Sequence, residues 1–127
     1  MRALKVIFLA AALSPTPSAM ASGEKRQAVT YPKELQGTWD IAPQACKLPV
    51  SPDSDSPLQI ESGRVLGYEH VEKPLRIRAV ATHPLAWTVT TISDIAPGIE
   101  TTDVYILKGD QLTISDGEST RQYRRCK

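Results

Sequence analysis

The sequence predicts an all-β protein, an antiparallel up-and-down meander of about eight short strands that closes into a small barrel. Short runs rich in β-branched and apolar residues alternate with turn residues from Leu58 onward. No segment after the first 21 residues shows a helical period of apolar residues. Eight strands suffice to close a barrel, and closure removes the exposed edges of an open sheet.

The first 21 residues have the pattern of a secretory signal peptide. Arg2 and Lys5 form a basic flank before an apolar run, residues 6–13, and small residues follow up to Ala21. A membrane anchor is not expected, because crossing about 30 Å of hydrocarbon takes about 20 apolar residues. We expect cleavage after Ala21 and export of the mature chain, as a periplasmic or secreted protein without a membrane anchor.

The mature chain predicted by this cleavage is small and nearly neutral. Loss of 21 of the 127 residues leaves 106, which carry 13 basic and 14 acidic side chains. This balance excludes a nucleic-acid partner, which would require a strongly basic face. Residues 22–34 mix charge, Ser, Gly and Pro and are expected to form a flexible leader. Residues 35–127 are expected to form a single β-barrel domain.

Strands are expected where apolar and polar residues alternate between turn signals. Residues 42–57 contain four prolines and are expected to form a long loop. Lys73-Pro74 and Ala96-Pro97-Gly98 are expected to interrupt the strands, and Asp116-Gly117 is the strongest hairpin signal. The predicted strands are 37–41, 58–61, 64–72, 75–82, 85–94, 99–107, 111–115 and 118–126.

The two cysteines, Cys46 and Cys126, both lie in the part predicted to be exported. An exported protein folds in an oxidising compartment, and the two residues lack the C-x-x-C spacing of redox sites. We therefore expect a structural disulfide, which on the chain-entropy account stabilises so long a loop by about 4 to 5 kcal/mol. Barrel closure would place the loop after the first strand beside the end of the last strand, so fold and disulfide agree.

Gly37-Thr38-Trp39, on the first predicted strand, resembles the G-x-W element of lipocalin-like (calycin) barrels. The resemblance implies that Trp39 closes one end of the barrel and that an arginine of a late strand packs over its ring. Arg121, Arg124 and Arg125 are the candidates for that cation. The structural residues expected on this basis are Trp39 and Arg124, together with the two cysteines.

The spacing of four short elements also resembles that of small secreted bacterial proteins with one disulfide. That resemblance implies a fold and a compartment and implies no activity. Bacterial periplasmic inhibitors of metalloproteases likewise use a small G-x-W barrel, but their disulfide lies near the front of the chain. The four elements are Leu35 to Trp39, Cys46, Gly67 to Glu69 and Tyr123 to Cys126.

Few residues of the chain favour catalysis or metal binding. His70 shares a strand face with Glu72, which would permit acid-base chemistry in a pocket, although a solvated strand face is the ordinary interpretation. A zinc site cannot be assembled with both cysteines in a disulfide. Asp53-Ser54-Asp55 lacks the glycine and distal glutamate of a calcium loop. The sequence therefore predicts no enzyme, no metal site and no cofactor.

The function predicted first is a non-enzymatic, exported and monomeric binding module for a small ligand held in the barrel. The alternative is a protein-binding or inhibitor module that presents a loop or apolar surface. A third hypothesis is an enzyme that uses His70 with nearby carboxylates. The basic residues near the end of the chain would suit a small anionic partner. The residues expected to line a ligand cavity are Ile77, Ala79, Trp87 and Val89.

Overall fold

The computed structural model describes residues 11–15, 27–43 and 45–127. This part of the chain folds as one turn of 3-10 helix, Lys33–Leu35, followed by eight strands. The prediction of an all-β chain is confirmed. The strands are β1 (Gly37–Ile41), β2 (Leu58–Ile60), β3 (Val65–Gly67), β4 (His70–Thr82), β5 (Leu85–Ser93), β6 (Ala96–Lys108), β7 (Gln111–Ser115) and β8 (Thr120–Arg125).

The eight strands form a closed barrel in sequence order. Each strand pairs with the next in antiparallel fashion, and β1 pairs with β8. Trp39 on β1 lies opposite Leu58 of β2 and opposite Arg125 of β8. The predicted up-and-down meander and its closure are therefore confirmed.

The predicted disulfide is also present and attaches the loop after β1 to the end of β8. Cys46 and Cys126 are bonded, with their Cα atoms 4.5 Å apart. Two backbone hydrogen bonds support the attachment. The Leu48 N–H donates to the Lys127 carbonyl (3.0 Å), and the Lys127 N–H donates to the Cys46 carbonyl (3.2 Å).

The prediction of a strand over 64–72 with a break at Lys73-Pro74 is wrong. The chain turns earlier, at Tyr68 and Glu69, and Glu69 adopts a left-handed φ of +55°. β4 then runs through Pro74 without interruption. Proline has no backbone N–H to donate and is tolerated where a strand has a free edge. Beyond Glu72, β4 pairs with β5 alone, so Pro74 lies at such an edge.

The predicted turn at Ala96-Pro97-Gly98 is also wrong, because these residues begin β6. Asp94 and Ile95 make the turn, and Ala96 already lies opposite Ser93. The register then shifts, so that Ile92 opposes Glu100. Gly98 lies within this irregularity with a φ of +85°, which a residue with a side chain would adopt only with strain.

The interior of the barrel is packed with side chains. Five aromatic residues are buried there, namely Tyr31, Trp39, Trp87, Tyr105 and Tyr123. The rings of Tyr31 and Tyr105 lie 6.4 Å apart between centroids. Aliphatic side chains from five strands and from the 3-10 turn fill the space around them. The buried aliphatic residues of this core are Leu35, Leu58, Ile60, Val65, Val89, Leu107, Leu112 and Ile114.

Tyr31 belongs to the segment predicted to be a flexible leader, residues 22–34, and its position corrects that boundary. Its side chain is buried, and its N–H donates to the Ser62 carbonyl at 2.8 Å. The ordered domain therefore begins before residue 35.

Residues 22–26, most of the predicted signal peptide and its cleavage site lie outside the described residues. In the ranges that are described, no helix has the length and apolar character needed to span a membrane.

The strands differ greatly in length, and this difference positions the candidate site. β4 and β6 each have 13 residues, whereas β2 and β3 have three each and β7 has five. The longer strands extend past their shorter neighbours. Each long strand therefore has a stretch with a partner on one side only.

Candidate functional site

One end of the barrel is closed by Trp39 and Arg125. The Arg125 guanidinium lies 4.2 Å from the centroid of the Trp39 ring. It also donates hydrogen bonds to the carbonyls of Gln36 (2.9 Å) and Glu34 (2.7 Å). The Trp39 indole N–H donates to the Leu35 carbonyl at 2.9 Å. These contacts fasten the 3-10 turn over the barrel end, which assigns both side chains a structural role.

The cation over Trp39 is Arg125, which corrects the expectation of Arg124. Successive side chains of a strand point to opposite faces, so Arg124 projects away from the face that carries Arg125. Arg124 lies opposite Asp40 of β1 and Gln111 of β7. It is therefore available for contacts outside the barrel.

The four residues expected to line a ligand cavity lie on one face of β4 and β5, where Ile77 opposes Val89 and Ala79 opposes Trp87. Trp87 and Val89 belong to the packed core. Ile77 packs against that core, and Ala79 is exposed. The surface clefts described below are lined by other residues.

A group of polar side chains, the polar cluster, consists of Tyr31, His70, Glu72, Asp103 and Arg121. His70 Nε2 lies 3.5 Å from Glu72 Oε1, so the two residues are neighbours as their spacing predicts. Burial raises the pKa of Glu72, and the attraction of His70 partly opposes this. Burial likewise raises the pKa of Asp103, against the attraction of Arg121. The Tyr31 hydroxyl is buried there without a hydrogen-bond partner.

The polar cluster has the residue types of an acid-base site. Among the described residues, no group of three or more His, Cys, Asp or Glu side chains is placed to hold a metal ion. His70 is held by two contacts, since its Nδ1 lies 2.9 Å from the Tyr68 carbonyl and its Nε2 faces Glu72. Catalysis by His70 stays a prediction.

The first part of β6, residues 96–103, has a partner strand on one side only. We call this stretch the β6 edge. β7 pairs only with residues 104–108 of β6. On its other side the β6 edge pairs with β5. Within the described chain, no backbone hydrogen bond from a turn or loop reaches residues 96–103. Residues 97–102 are exposed. Alternate backbone N–H and C=O groups of this stretch therefore face solvent.

A second free edge lies on β4, residues 73–82, and it carries the features that prevent strand pairing. β3 pairs only with residues 70–72 of β4. Pro74 interrupts the row of donors, and register shifts occur between Pro74 and Arg76 and between Ala79 and Ala81. Lys73, Arg76 and Arg78 add charge. Proline, bulges and basic residues are the usual means by which proteins protect an edge. The β6 edge has Pro97 and a register shift at its start only, and it has no basic residue along its length.

The β6 edge is flanked by exposed apolar side chains. Ile95 is 70% exposed and Ile99 is 60% exposed. Beside them a cleft of about 230 Å³ crosses the ends of β4, β5 and β6. An extended chain that pairs with β6 would lie close to these side chains. The residues that line the cleft are Val71, Lys73, Ile92, Ser93, Asp94 and Pro97.

No relatives help to assign this surface. The chain matches no protein-family profile, no curated protein and no solved structure. The fold and the geometry of its own residues are therefore the basis for a functional proposal.

The β6 edge is a feature that sequence reasoning missed. The pattern of residues 99–107 indicates a strand but does not indicate how long its neighbours are. The composition of the edge was the available signal. Ile99, Thr101 and Thr102 are β-branched. In addition, no Lys or Arg occurs between Arg78 and Lys108.

Proposed function

We propose that the chain is an exported binding module that takes an extended segment of a partner protein as an additional strand on the β6 edge. The observation that carries the proposal is the unpaired row of backbone groups in the β6 edge, which continues in regular register from Glu100 to Asp103 after Pro97 and the register shift. Strand addition to a free sheet edge is a recurrent mode of peptide recognition, in which backbone hydrogen bonds supply affinity.

The side chains around the β6 edge define the chemistry of the partner. Ile95 and Ile99 favour a segment with apolar residues at alternate positions, because alternate side chains of an added strand meet one face. Asp94 and Glu100 make this surface acidic, although Glu100 is paired with Arg76 at 3.0 Å. A partner segment rich in Asp or Glu would be repelled. The module therefore suits an apolar, neutral to basic segment.

The packed interior favours this protein-binding alternative over a ligand inside the barrel. Two tryptophans and three tyrosines occupy the space that a small ligand would need. Binding of a small ligand among Ile77, Ala79, Trp87 and Val89 stays a prediction from the sequence.

Export is part of the proposal and is supported by the N-terminal pattern around Arg2, Lys5 and Ala21. The disulfide between Cys46 and Cys126 is compatible with it, because such bonds persist in oxidising compartments. Mass spectrometry of exported material is expected to find a chain that begins at Ser22. A chain that retains Met1 would contradict the proposal of a cleaved signal.

Peptide display on the full mature chain tests the binding function. Peptides selected from a random library are expected to share apolar residues at alternate positions and to be depleted of Asp and Glu. Hydrogen exchange of the complex is then expected to show slower exchange at backbone amides of residues 98–103, with little change along residues 73–82. Failure to select any peptide, or protection of another surface, would refute the proposal.

A pair of lysine substitutions provides the matched control. Ile99→Lys introduces a charge beside the β6 edge, and we expect it to weaken peptide binding at least tenfold. Val80→Lys introduces the same charge on the protected strand β4, where the wild-type side chain is 53% exposed. Its peptide affinity should equal that of the wild type. Equal losses in the two variants would show that the selected peptides respond to net charge alone.

A further inference from the structure

A second cleft lies at the opposite end of β6, where the β6–β7 hairpin meets the end of β8 and the disulfide. Its volume is about 360 Å³, which is within the range of small-molecule sites. We call it the basic cleft. Its lining residues are Ala45, Cys46, Lys108, Asp110, Gln111, Arg124, Arg125 and Lys127.

The register of three strands brings the basic side chains of this cleft together. Lys108 lies opposite Gln111, and Gln111 lies opposite Arg124. Directly opposed residues of antiparallel strands place their side chains on the same face. Lys127 follows the disulfide-bonded Cys126 and is held by backbone hydrogen bonds to the loop at Cys46 and Leu48. Four basic side chains and one carboxylate, Asp110, therefore share one cleft.

Two of the four cations already have partners. Asp110 Oδ2 lies 2.5 Å from Lys127 Nζ, and Asp110 Oδ1 lies 3.4 Å from Arg125 Nε. The hydrogen bond from Lys127, followed by the attraction of both cations, lowers the pKa of Asp110, so this carboxylate is ionised at neutral pH. Arg125 is further occupied by Trp39 and by two backbone carbonyls.

The other two cations, Lys108 and Arg124, are free to bind a ligand. Neither side chain forms a hydrogen bond or an ion pair within the described residues. Asp40 lies opposite Arg124 on β1, but its Oδ1 accepts hydrogen bonds from the Ile41 N–H (2.8 Å) and the Ser56 hydroxyl. The Gln111 carboxamide lies between Lys108 and Arg124 in register and adds a neutral donor.

We propose that the basic cleft binds a small oxyanion with two negative charges, a dicarboxylate or a phosphate, between Arg124, Lys108 and Gln111. The planar guanidinium of Arg124 can donate two parallel hydrogen bonds to one carboxylate or phosphate group. The Lys108 ammonium then neutralises the second charge. This site lies apart from the β6 edge, and its occupancy does not depend on strand addition there.

Titrations of the mature chain with succinate and with inorganic phosphate test the proposal and distinguish the two anions. Saturable NMR shifts are expected at the backbone amides of Lys108 and Gln111 and at the side-chain Nε of Arg124. Arg124→Gln is expected to weaken the binding about tenfold, because a hydrogen bond to a charged group is lost. Ile99→Lys should leave it unchanged, which separates this site from the proposed function.

Arg78→Gln is the matched control for charge. Arg78 is exposed on β4, outside the cleft, and its substitution changes the net charge by the same amount. It should bind the anions as the wild type does. Shifts that do not saturate, or equal weakening by Arg78→Gln and Arg124→Gln, would overturn the proposal, since general attraction of anions to the protein would then explain the data.

Discussion

Arg125 shows how one side chain fastens several parts of this chain at once. Its guanidinium contacts the Trp39 ring and donates to the carbonyls of Glu34 and Gln36. Its backbone N–H donates to the Asp110 carbonyl at 2.9 Å. Arginine suits this role because its planar group can stack on a ring and donate in several directions.

Tyr31 presents the opposite case, a polar group that costs stability. Its hydroxyl is buried without a hydrogen-bond partner, and desolvation raises the pKa of this phenol. A buried polar group that is left unpaired costs about 1 to 3 kcal/mol, whereas the ring itself contributes to the core.

Tyr31→Phe is therefore expected to stabilise the protein by about 1 kcal/mol, because it removes the unpaired hydroxyl and keeps the ring. The measurement is the free energy of unfolding in urea. Tyr68→Phe serves as the control, since that side chain is 60% exposed and its hydroxyl is solvated. A loss of stability in Tyr31→Phe would show that the hydroxyl has a partner in solution.

At the scale of elements, unequal strand lengths give the two long strands different free edges. β4 and β6 have the same length, and both extend beyond their shorter neighbours. β4 carries Pro74 and two register shifts over its free stretch. In β6, Pro97 and one register shift lie at the start of the free stretch, and β-branched residues follow at Ile99, Thr101 and Thr102. The fold thus protects one edge and leaves the other able to pair.

The β3–β4 hairpin depends on a close approach between Gly67 and His70. A Cβ at position 67 would lie 2.1 Å from His70 Cε1, so the imidazole would have to move. Gly67→Ala is therefore expected to lower stability by about 1 kcal/mol, since the imidazole is displaced from Glu72. Chemical denaturation provides the measurement.

A double-mutant cycle checks this cause. In a His70→Ala background the same Gly67→Ala change should cost almost nothing, because the clashing ring is gone. Gly63→Ala is the control, as no atom lies within 4 Å of the Cβ position there. Additive losses from the two changes would rule out a clash with His70 as the source.

At the scale of the whole molecule, two connections hold the ends of the domain together. β1 pairs with β8 to close the barrel, and the disulfide attaches the loop after β1 to the residue that follows β8. The second connection spans 80 residues, so it restricts the unfolded chain strongly.

Replacement of both cysteines by serine is expected to lower the free energy of unfolding by roughly 4 kcal/mol, mainly because the unfolded chain gains freedom. Urea denaturation of the double variant and of the wild type measures the difference. The β1–β8 pairing should persist in the variant, as shown by unchanged exchange protection at Trp39. An unchanged midpoint would mean that the disulfide contributes no constraint.

Much of the fold was predictable because it follows from local patterns. Alternation and turn residues located six of the strands to within three residues, and Gly37-Thr38-Trp39 placed the tryptophan that closes the barrel. The errors occurred at Pro74 and at Pro97. A proline ends a strand only where a neighbouring strand needs a backbone N–H at that position. The sequence does not show at which positions a neighbouring strand is missing.

The candidate sites were less predictable, since each depends on residues that are distant in the chain. The grouping of Lys108 with Arg124 follows from the registers of β7 with its two neighbours. The burial of Tyr31, which precedes the first strand, follows from its packing against Tyr105. Neither contact has a signal in the local sequence.

The sequence by itself determined the class of the fold and the disulfide partners, because periodicity and cysteine number can be read without the tertiary structure. Export stays a prediction from the N-terminal pattern. The tertiary structure decided which arginine covers Trp39, where the cations converge and which strand edge is left unpaired. These properties depend on register and on relative strand length, which are set when the whole barrel closes.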